Sequence, residues 1–383
     1  LFEGTFRKYH GLEDCEKYLN ACVSASETFM NESGYTLYKS GSTPYRDLFA
    51  SINLQADEVI FGRDYEASLS VLHNVQNYEN STTMGRPGMN KKIVNSYLMA
   101  DGSRFTDKAG YETMTFDQEC QNRDPRLAQT IRTPGYTRIG STKKEAPNLA
   151  YTMTGYHLIK YSMTANYDEY NKSCNDIPLF RTAEVYLNFA EAKAELGTLK
   201  QADINKSIKL LRDRVGMTNL DMELANSKPD PYLMSAATGY PNVKGANQGV
   251  ILEIRRERTI ELAMEGFRYY DIMRWKEGKL FENDLLGIYV PGPGTYDLDK
   301  DGTDDVCFYV GTKPAGNVPL YLEIGEQIRL SNGESGYIIC HSLITKKWNE
   351  DRDYLYPVPI SERTLSNGVI TQNPGWNDGL NFN

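Results

Sequence analysis

Aspartates between residues 297 and 305 have the spacing of a calcium-binding loop. The segment DLDKDGTDD places aspartate at positions 1, 3, 5 and 9 and glycine at position 6. Alternating carboxylates followed by glycine form the first half of an oxygen-ligand calcium loop. The twelfth position is Phe308 and not the usual bidentate glutamate, so the alternative interpretation is a polar hairpin turn with an Asp-Gly step. The candidate calcium ligands are Asp297, Asp299, Asp301 and Asp305.

Tyrosine is the second residue type that points to binding. The chain has 27 tyrosines in 383 residues, and each joins a flat apolar ring to a polar hydroxyl. Residues 33–147 lack helical periodicity and are punctuated by Gly, Ser, Asn, Thr and Pro, which is typical of loops that carry function. The candidate ligand-binding residues there are Tyr65, Tyr78, Tyr97 and Tyr111. The alternative for each ring is ordinary packing.

Catalytic and zinc-binding patterns are weak in this sequence. The four histidines are scattered, and His157 has no nucleophile or second ligand near it in the chain. The six cysteines include no CxxC pair, so we expect free thiols and neither a structural zinc site nor a disulfide framework. A glycoside hydrolase needs two carboxylates roughly 5–10 Å apart. Because the chain has 51 acidic residues, that alternative stays open.

A predicted helix pair at residues 178–215 organises the elements that must position these side chains. Apolar residues recur every three or four positions in both halves, so each half presents one buried face. Alanines on the first face allow a neighbouring helix to approach closely, and Gly197 suits a left-handed C-cap. The pair is tetratricopeptide-like and needs further helices to cover it. The faces are Phe180, Ala183, Leu187, Ala190 and Ala194, then Ile204, Ile208, Leu211 and Val215.

Further elements follow from the same patterns. Helices are predicted at residues 1–9 and 13–31, and a highly charged helix begins near residue 249 and breaks at Gly266. Strands are predicted at 57–61 and 151–161 and in a hairpin over 287–310, and Ser361 is predicted to cap a one-turn helix. The charged helix is interpreted as an ion-pair lattice between packed helices, with i+3 pairs Arg258–Glu261, Glu265–Arg268 and Asp271–Arg274.

Charge and hydropathy exclude some classes of protein. The formal net charge is −9 and the pI about 5.2, which argues against a nucleic-acid binder because such proteins need a basic face. No run approaches the roughly 18 apolar residues of a membrane-spanning helix. The chain begins LFEGTF, without an initiator methionine, a signal core or a lipidation cysteine. We therefore expect a natural N-terminus further upstream.

Three stretches together resemble the SusD/RagB family of Bacteroidetes outer-membrane lipoproteins. They are RTAEVYLNFAEAKAELG at 181–197, IRRERTIELAMEGFRYYDIMRWKEG at 254–278 and YLYPVPISERTLSNGVITQNPGW at 354–376. The resemblance implies a single domain over 1–383 that lacks its N-terminal part. The implied fold is mostly α, with tetratricopeptide-like pairs and a loop-rich, partly β insertion region. Its parts would be a helical frame at about 1–31, 177–216 and 249–278, a ligand-side region at about 33–147, and a hairpin and extended tail over 287–383.

The resemblance also implies a function. Such a protein would bind glycans at the cell surface without catalysis and deliver them to a TonB-dependent transporter of the SusC type. It would sit on the outer membrane through an upstream lipid anchor, and it would need no cofactor apart from the candidate calcium. The alternatives are a glycoside hydrolase with an Asp/Glu pair and a tetratricopeptide adaptor that binds a protein or peptide.

Overall fold

The computed structural model describes residues 1–377 and Gly379, so residues 378 and 380–383 of the predicted tail lie outside the described residues. The α-helices are α1 (Phe2–His10), α2 (Cys15–Glu32), α3 (Pro44–Ala50), α4 (Val75–Glu79), α5 (Lys91–Ser96), α6 (Phe116–Glu119), α7 (Pro125–Ala128), α8 (Thr182–Glu195), α9 (Gln201–Asn205), α10 (Ile208–Arg214), α11 (Met222–Ser227), α12 (Pro231–Met234), α13 (Gln248–Glu261), α14 (Arg268–Arg274) and α15 (Ile360–Leu365). The strands are β1 (Val59–Arg63), β2 (Ile177–Arg181), β3 (Leu285–Val290), β4 (Gly294–Tyr296), β5 (Val306–Tyr309), β6 (Leu320–Glu323) and β7 (Gly336–Cys340). The fold is mostly α with a partly β insertion region, as predicted.

Helices α1, α2, α8 and α13 pack side by side and form the helical core. The alanine face of α8 is buried between α2 and α13, as the spacing predicts. Phe180 is an exception, since it lies in β2 with 54% of its surface exposed. The predicted second helix is also divided into α9 and α10, where Ser207 leaves helical geometry with φ −135° and ψ −89°. Its hydroxyl donates to the Asp203 carbonyl at 2.7 Å and so satisfies an acceptor at the break.

Ion pairs between α13 and its neighbours confirm the predicted lattice and show that it is buried. The carboxylate of Glu261 accepts from Arg181 at 2.8 Å, from Arg126 at 3.0 Å and from Arg214. These arginines belong to β2, α7 and α10, and all four side chains are almost fully buried. A buried carboxylate needs such partners because the interior cannot solvate its charge. The lattice therefore joins the loop-rich segment around α7 to the helical core.

Only one of the three predicted i+3 pairs forms. Arg274 Nη2 lies 2.8 Å from Asp271 Oδ1, and Arg258 also bonds to Asp271, at 2.9 Å. The backbone turns sharply between α13 and α14, where Met264 and Gly266 have φ values of 64° and 86°. The break predicted at Gly266 explains the missing Glu265–Arg268 pair, whereas Arg258 and Glu261 both lie in α13 and each bonds to a partner on another element. The pairs predicted wrongly are Arg258–Glu261 and Glu265–Arg268.

The strands form three small sheets beside the helices. β1 pairs antiparallel with β2, β3 pairs antiparallel with β7, and β5 lies between antiparallel β4 and parallel β6. The hairpin of β4 and β5 confirms part of the prediction over 287–310. The strand predicted at 151–161 is wrong, because Gly155 adopts φ 81° and interrupts the extended backbone. That segment is instead buried and bonds to several separate loops.

Candidate ligand-binding surface

The structure buries one of the four tyrosines predicted to contact ligand. Tyr97 is completely buried in a hydrophobic cluster that also contains Phe116 and Tyr156. Its hydroxyl donates to Thr130 Oγ1 at 3.3 Å. The prediction of an exposed ring is therefore wrong at Tyr97. The turn-rich composition around it correctly indicates short elements, but these elements have a core of their own against the sheets.

Tyr65 and Tyr78 lie in the same stretch, on either side of His73. The Tyr65 ring meets the His73 ring edge-on at 4.4 Å, and the Arg63 guanidinium lies 5.0 Å from the Tyr65 ring centroid. Tyr65 is half-buried, whereas Tyr78 on α4 is 49% exposed. The contacts with His73 and Arg63 hold the Tyr65 ring, and Tyr78 offers more of its surface to solvent. Both remain predicted ligand contacts.

Tyr111 belongs to a group of rings that the sequence analysis did not assemble. Its ring meets that of Tyr232 at 6.5 Å and 82°. Tyr289 and Tyr337 are cross-strand partners on β3 and β7, with ring centroids 5.8 Å apart. Tyr337 also donates its hydroxyl to the carbonyl of Glu112, the residue after Tyr111. We call Tyr111, Tyr232, Tyr289 and Tyr337 the tyrosine patch, and all four are half-buried.

Polar groups adjoin the tyrosine patch. Asn95 Nδ2 donates to the Tyr232 hydroxyl at 3.3 Å, while Asn95 Oδ1 is buried without a hydrogen-bond partner in the described structure. The Lys91 ammonium lies 5.4 Å from the centre of the Tyr337 ring and pairs with Glu119. Burial raises the pKa of both Tyr232 and Tyr337 above the ordinary value. Both hydroxyls therefore stay neutral near pH 7 and keep their donor capacity.

The other three tyrosines of the patch come from three distant segments, and the sequence analysis did not identify them as site residues. Tyr232 is the second residue of α12, and Asp230 caps that helix by accepting from the Tyr232 backbone at 2.8 Å. Tyr289 and Tyr337 occupy half-buried positions between buried neighbours on their strands. That alternation could have indicated which face each strand presents. It could not have indicated that two strands almost fifty residues apart in sequence are partners.

The hairpin turn between β4 and β5 brings together three of the four candidate calcium ligands. Carboxylate oxygens of Asp297, Asp299 and Asp305 all lie within 4.8 Å of one another. Asp301 is outside this group, and its carboxylate accepts from the backbone of Thr303 at 2.8 Å within the turn. Calcium binding thus remains a prediction for three of the residues, and the fourth is not placed with them.

The electrostatics of this turn suit a cation. None of the three clustered carboxylates forms an ion pair with a basic group in the described part of the chain. Burial, with the nearby charges of Asp299 and Asp297, raises the pKa of Asp305 to about 6. Burial and Asp301 raise the pKa of Asp299 as well. Clustered oxygen ligands without basic partners fit a hard divalent ion such as calcium.

Two buried glutamates have pKa values typical of general acids, but their surroundings are structural. Burial raises the pKa of Glu79 and of Glu277 to about 7. Glu79 accepts from the Ser162 hydroxyl at 2.6 Å, and Glu277 accepts from the Asn242 backbone at 3.0 Å. His157 is buried too, and its Nδ1 accepts from the Asn148 backbone. These groups act as acceptors for neighbouring protein donors.

The helical core thus carries a surface built from loops and aromatic side chains. Among the described helices, none combines the length and apolar character needed to cross a bilayer. The chain belongs to the SusD family, whose model matches residues 48–376. No curated protein sequence matches it.

Solved structures share this fold. A SusD-like protein of Bacteroides fragilis is 19% identical with a TM-score of 0.58, and the match covers 98% of this chain and 63% of that one. A second SusD-like protein of the same species is 20% identical with a TM-score of 0.56, covering 91% and 61%. The chain thus spans about three-fifths of the length of these two structures.

Proposed function

We propose that this protein binds glycans without catalysis, and that the tyrosine patch is a principal contact surface. The observation that carries this proposal is four half-buried tyrosine rings with adjoining amide, ammonium and hydroxyl groups. A sugar presents a flat C–H face that packs on an aromatic ring, and its hydroxyls need polar partners at the ring edge. The Tyr232 hydroxyl accepts from Asn95 and donates to no group among the described residues, so its proton can serve a sugar hydroxyl.

Family membership supports the wider role. We infer that the complete protein is a surface lipoprotein of the outer membrane that delivers its glycan to a SusC-type TonB-dependent transporter. One solved structure that shares this fold is described as a SusD-like carbohydrate binding protein. Tyr65 and Tyr78 are proposed as further glycan contacts, because Tyr78 presents an exposed ring.

Calcium binding at the β4–β5 turn is the second part of the proposal. Asp297, Asp299 and Asp305 would hold the ion, and its role would be to fix the turn and neutralise the carboxylates. Three carboxylates supply fewer oxygens than the six to eight that calcium takes. The remaining positions would be filled by other oxygens.

Alanine variants of the tyrosine patch test the glycan proposal. We expect Tyr111→Ala and Tyr337→Ala each to lose about 1 kcal/mol of binding free energy, roughly a fivefold rise in Kd, because each removes one ring face. Affinity electrophoresis in gels containing a panel of polysaccharides measures the change. Tyr170→Ala is the matched control, since Tyr170 is 68% exposed and outside the patch. Equal retention of both patch variants and the control would refute the patch as the binding surface.

A further inference from the structure

A cavity of about 480 Å³ lies between the loop 143–150 and the turn of the β4–β5 hairpin. Its size falls in the range of small-molecule sites. One wall carries the basic residues Arg132, Lys143 and Lys144. The other wall carries aspartates of the hairpin turn, namely Asp299, Asp301, Asp304 and Asp305. We call this space the hairpin cavity. Its two walls have opposite charge.

Arg132 on the basic wall is buried with part of its hydrogen-bonding capacity unused. The residue is only 5% exposed. Its guanidinium pairs with Glu145 at 3.0 Å and donates to Asn80 Oδ1 at 2.8 Å. Arg132 Nε is buried and has no hydrogen-bond partner in the described structure. A buried donor without a partner costs roughly 1–3 kcal/mol, so Arg132 is held in place at the base of the basic wall at some cost in stability.

Lys143 and Lys144 differ from most basic residues of the helical core. Both are exposed, and neither has an ion-pair partner within 4 Å among the described residues. Lys144 is close enough to Asp299 for its charge to act on that carboxyl. Two lysines at the rim of a cavity can therefore receive a carboxylate without first breaking an ion pair.

The walls of the hairpin cavity carry more negative than positive charge. Three basic side chains face five acidic ones, the four aspartates and Glu145, which leaves an excess of two negative charges. Asp297 of the cluster raises that excess to three, and one divalent ion on the cluster reduces it to one. Asp299 and Asp305 belong both to the cluster and to the cavity wall. The coordination positions left open by three carboxylates would therefore face the cavity.

We propose that the hairpin cavity binds a uronic-acid unit of a glycan together with a divalent cation. The sugar carboxylate lies against Lys143 and Lys144, and sugar oxygens complete the coordination of the ion. This inference rests on the proposed glycan-binding function and names the class of glycan. The same turn approaches α6, where Lys300 Nζ lies 4.0 Å from Asp117 Oδ1.

An array of neutral and uronate-bearing oligosaccharides, probed in calcium chloride and in EGTA, tests this inference. We expect uronate-bearing probes to be retained at least tenfold better in calcium than in EGTA. Lys143→Gln combined with Lys144→Gln should remove that preference. The matched control combines Lys39→Gln and Lys172→Gln, which changes the charge equally at two exposed sites outside the cavity.

Other outcomes separate this inference from the proposed function. Retention of neutral probes alone would overturn the uronate assignment and leave glycan binding intact, whereas retention of no probe would overturn both. Uronate retention that is unchanged by EGTA, or unchanged in the Lys143→Gln and Lys144→Gln double variant, would overturn the hairpin cavity as the binding site. Asp299→Asn gives a second check on the ion, with calorimetric titration of calcium chloride as the readout. Calcium binding of undiminished affinity in that variant would contradict the shared role of Asp299.

Discussion

The buried carboxylate of Glu191 is expected to contribute about 3 kcal/mol to the free energy of unfolding. Glu191 lies on α8 and accepts from Arg274 Nη2 at 2.8 Å and from the Trp275 indole at 2.7 Å. Burial alone would raise its pKa, but the charge and hydrogen bonds of Arg274 outweigh burial and lower the pKa to about 2. The pair joins α14 to α8 of the helical core.

The magnitude follows from the pKa. The ordinary value for Glu191 is 4.5 and the folded value about 2. At about 1.36 kcal/mol per pKa unit, this difference corresponds to about 3 kcal/mol. Breaking a buried ion pair gives a similar figure, about 3–5 kcal/mol. Because the folded pKa is depressed, this stability is present above pH 4.5 and is lost as the pH falls toward 2.

Urea denaturation of wild type and Glu191→Gln measures the contribution. At pH 7 the variant should lose about 3 kcal/mol, and at pH 3.5 the difference should shrink to about 2 kcal/mol because unfolded and folded carboxyls begin to titrate. Glu16→Gln is the matched control, since Glu16 is exposed on α2 without an ion pair in the described structure. A loss at pH 7 no larger than that of the control, or a loss that grows at pH 3.5, would refute the reasoning.

Three further predictions concern the hairpin turn, a helix contact and a buried ring. Calcium chloride should raise the Tm of wild type and of Asp304→Asn, and EGTA should reverse that rise. In Asp305→Asn the rise in Tm should vanish. A rise in Asp305→Asn equal to that of wild type would contradict the ion site. Gly249→Ala places a Cβ 1.9 Å from the Ala225 carbonyl oxygen, so it should cost about 1–3 kcal/mol in denaturant melts; an unchanged midpoint would contradict this contact. Tyr97→Phe removes the hydrogen bond to Thr130 and should lower the free energy of unfolding by about 1 kcal/mol in the same assay, without changing glycan retention. Weaker glycan retention by this variant would indicate that the Tyr97 side chain contacts the ligand after all.

Helical periodicity predicted the buried helix faces correctly, because small apolar residues three and four positions apart fall on one face of a helix. Ala183, Ala190 and Ala194 are buried against neighbouring helices as expected. Phe180 has the same spacing, yet it pairs with β1 through the backbone of β2. The pairing of β2 with β1 overrides the helical pattern at this residue. Because β1 lies more than a hundred residues earlier, that pairing cannot be inferred from a local pattern.

The candidate site was less predictable because it depends on contacts between distant segments. The DxDxDG spacing identified the aspartates of the hairpin turn, since that pattern is local. Turn-rich composition around Tyr97 suggested an exposed loop, but the ring fills a core that β3 and β7 complete. Tyr232 and Tyr337 lie beside Tyr111 only through tertiary packing. Composition thus indicated the residue type of the site, and the fold was needed to identify its members.

Retention and turnover measured in the same samples test the central claim most directly. The protein is incubated with each polysaccharide that it retards in affinity gels, and released reducing ends are then assayed over a day. Binding without catalysis predicts clear retardation and no reducing ends above the protein-free background. Reducing ends that increase with protein concentration would contradict the account, and so would a protein that retards no polysaccharide.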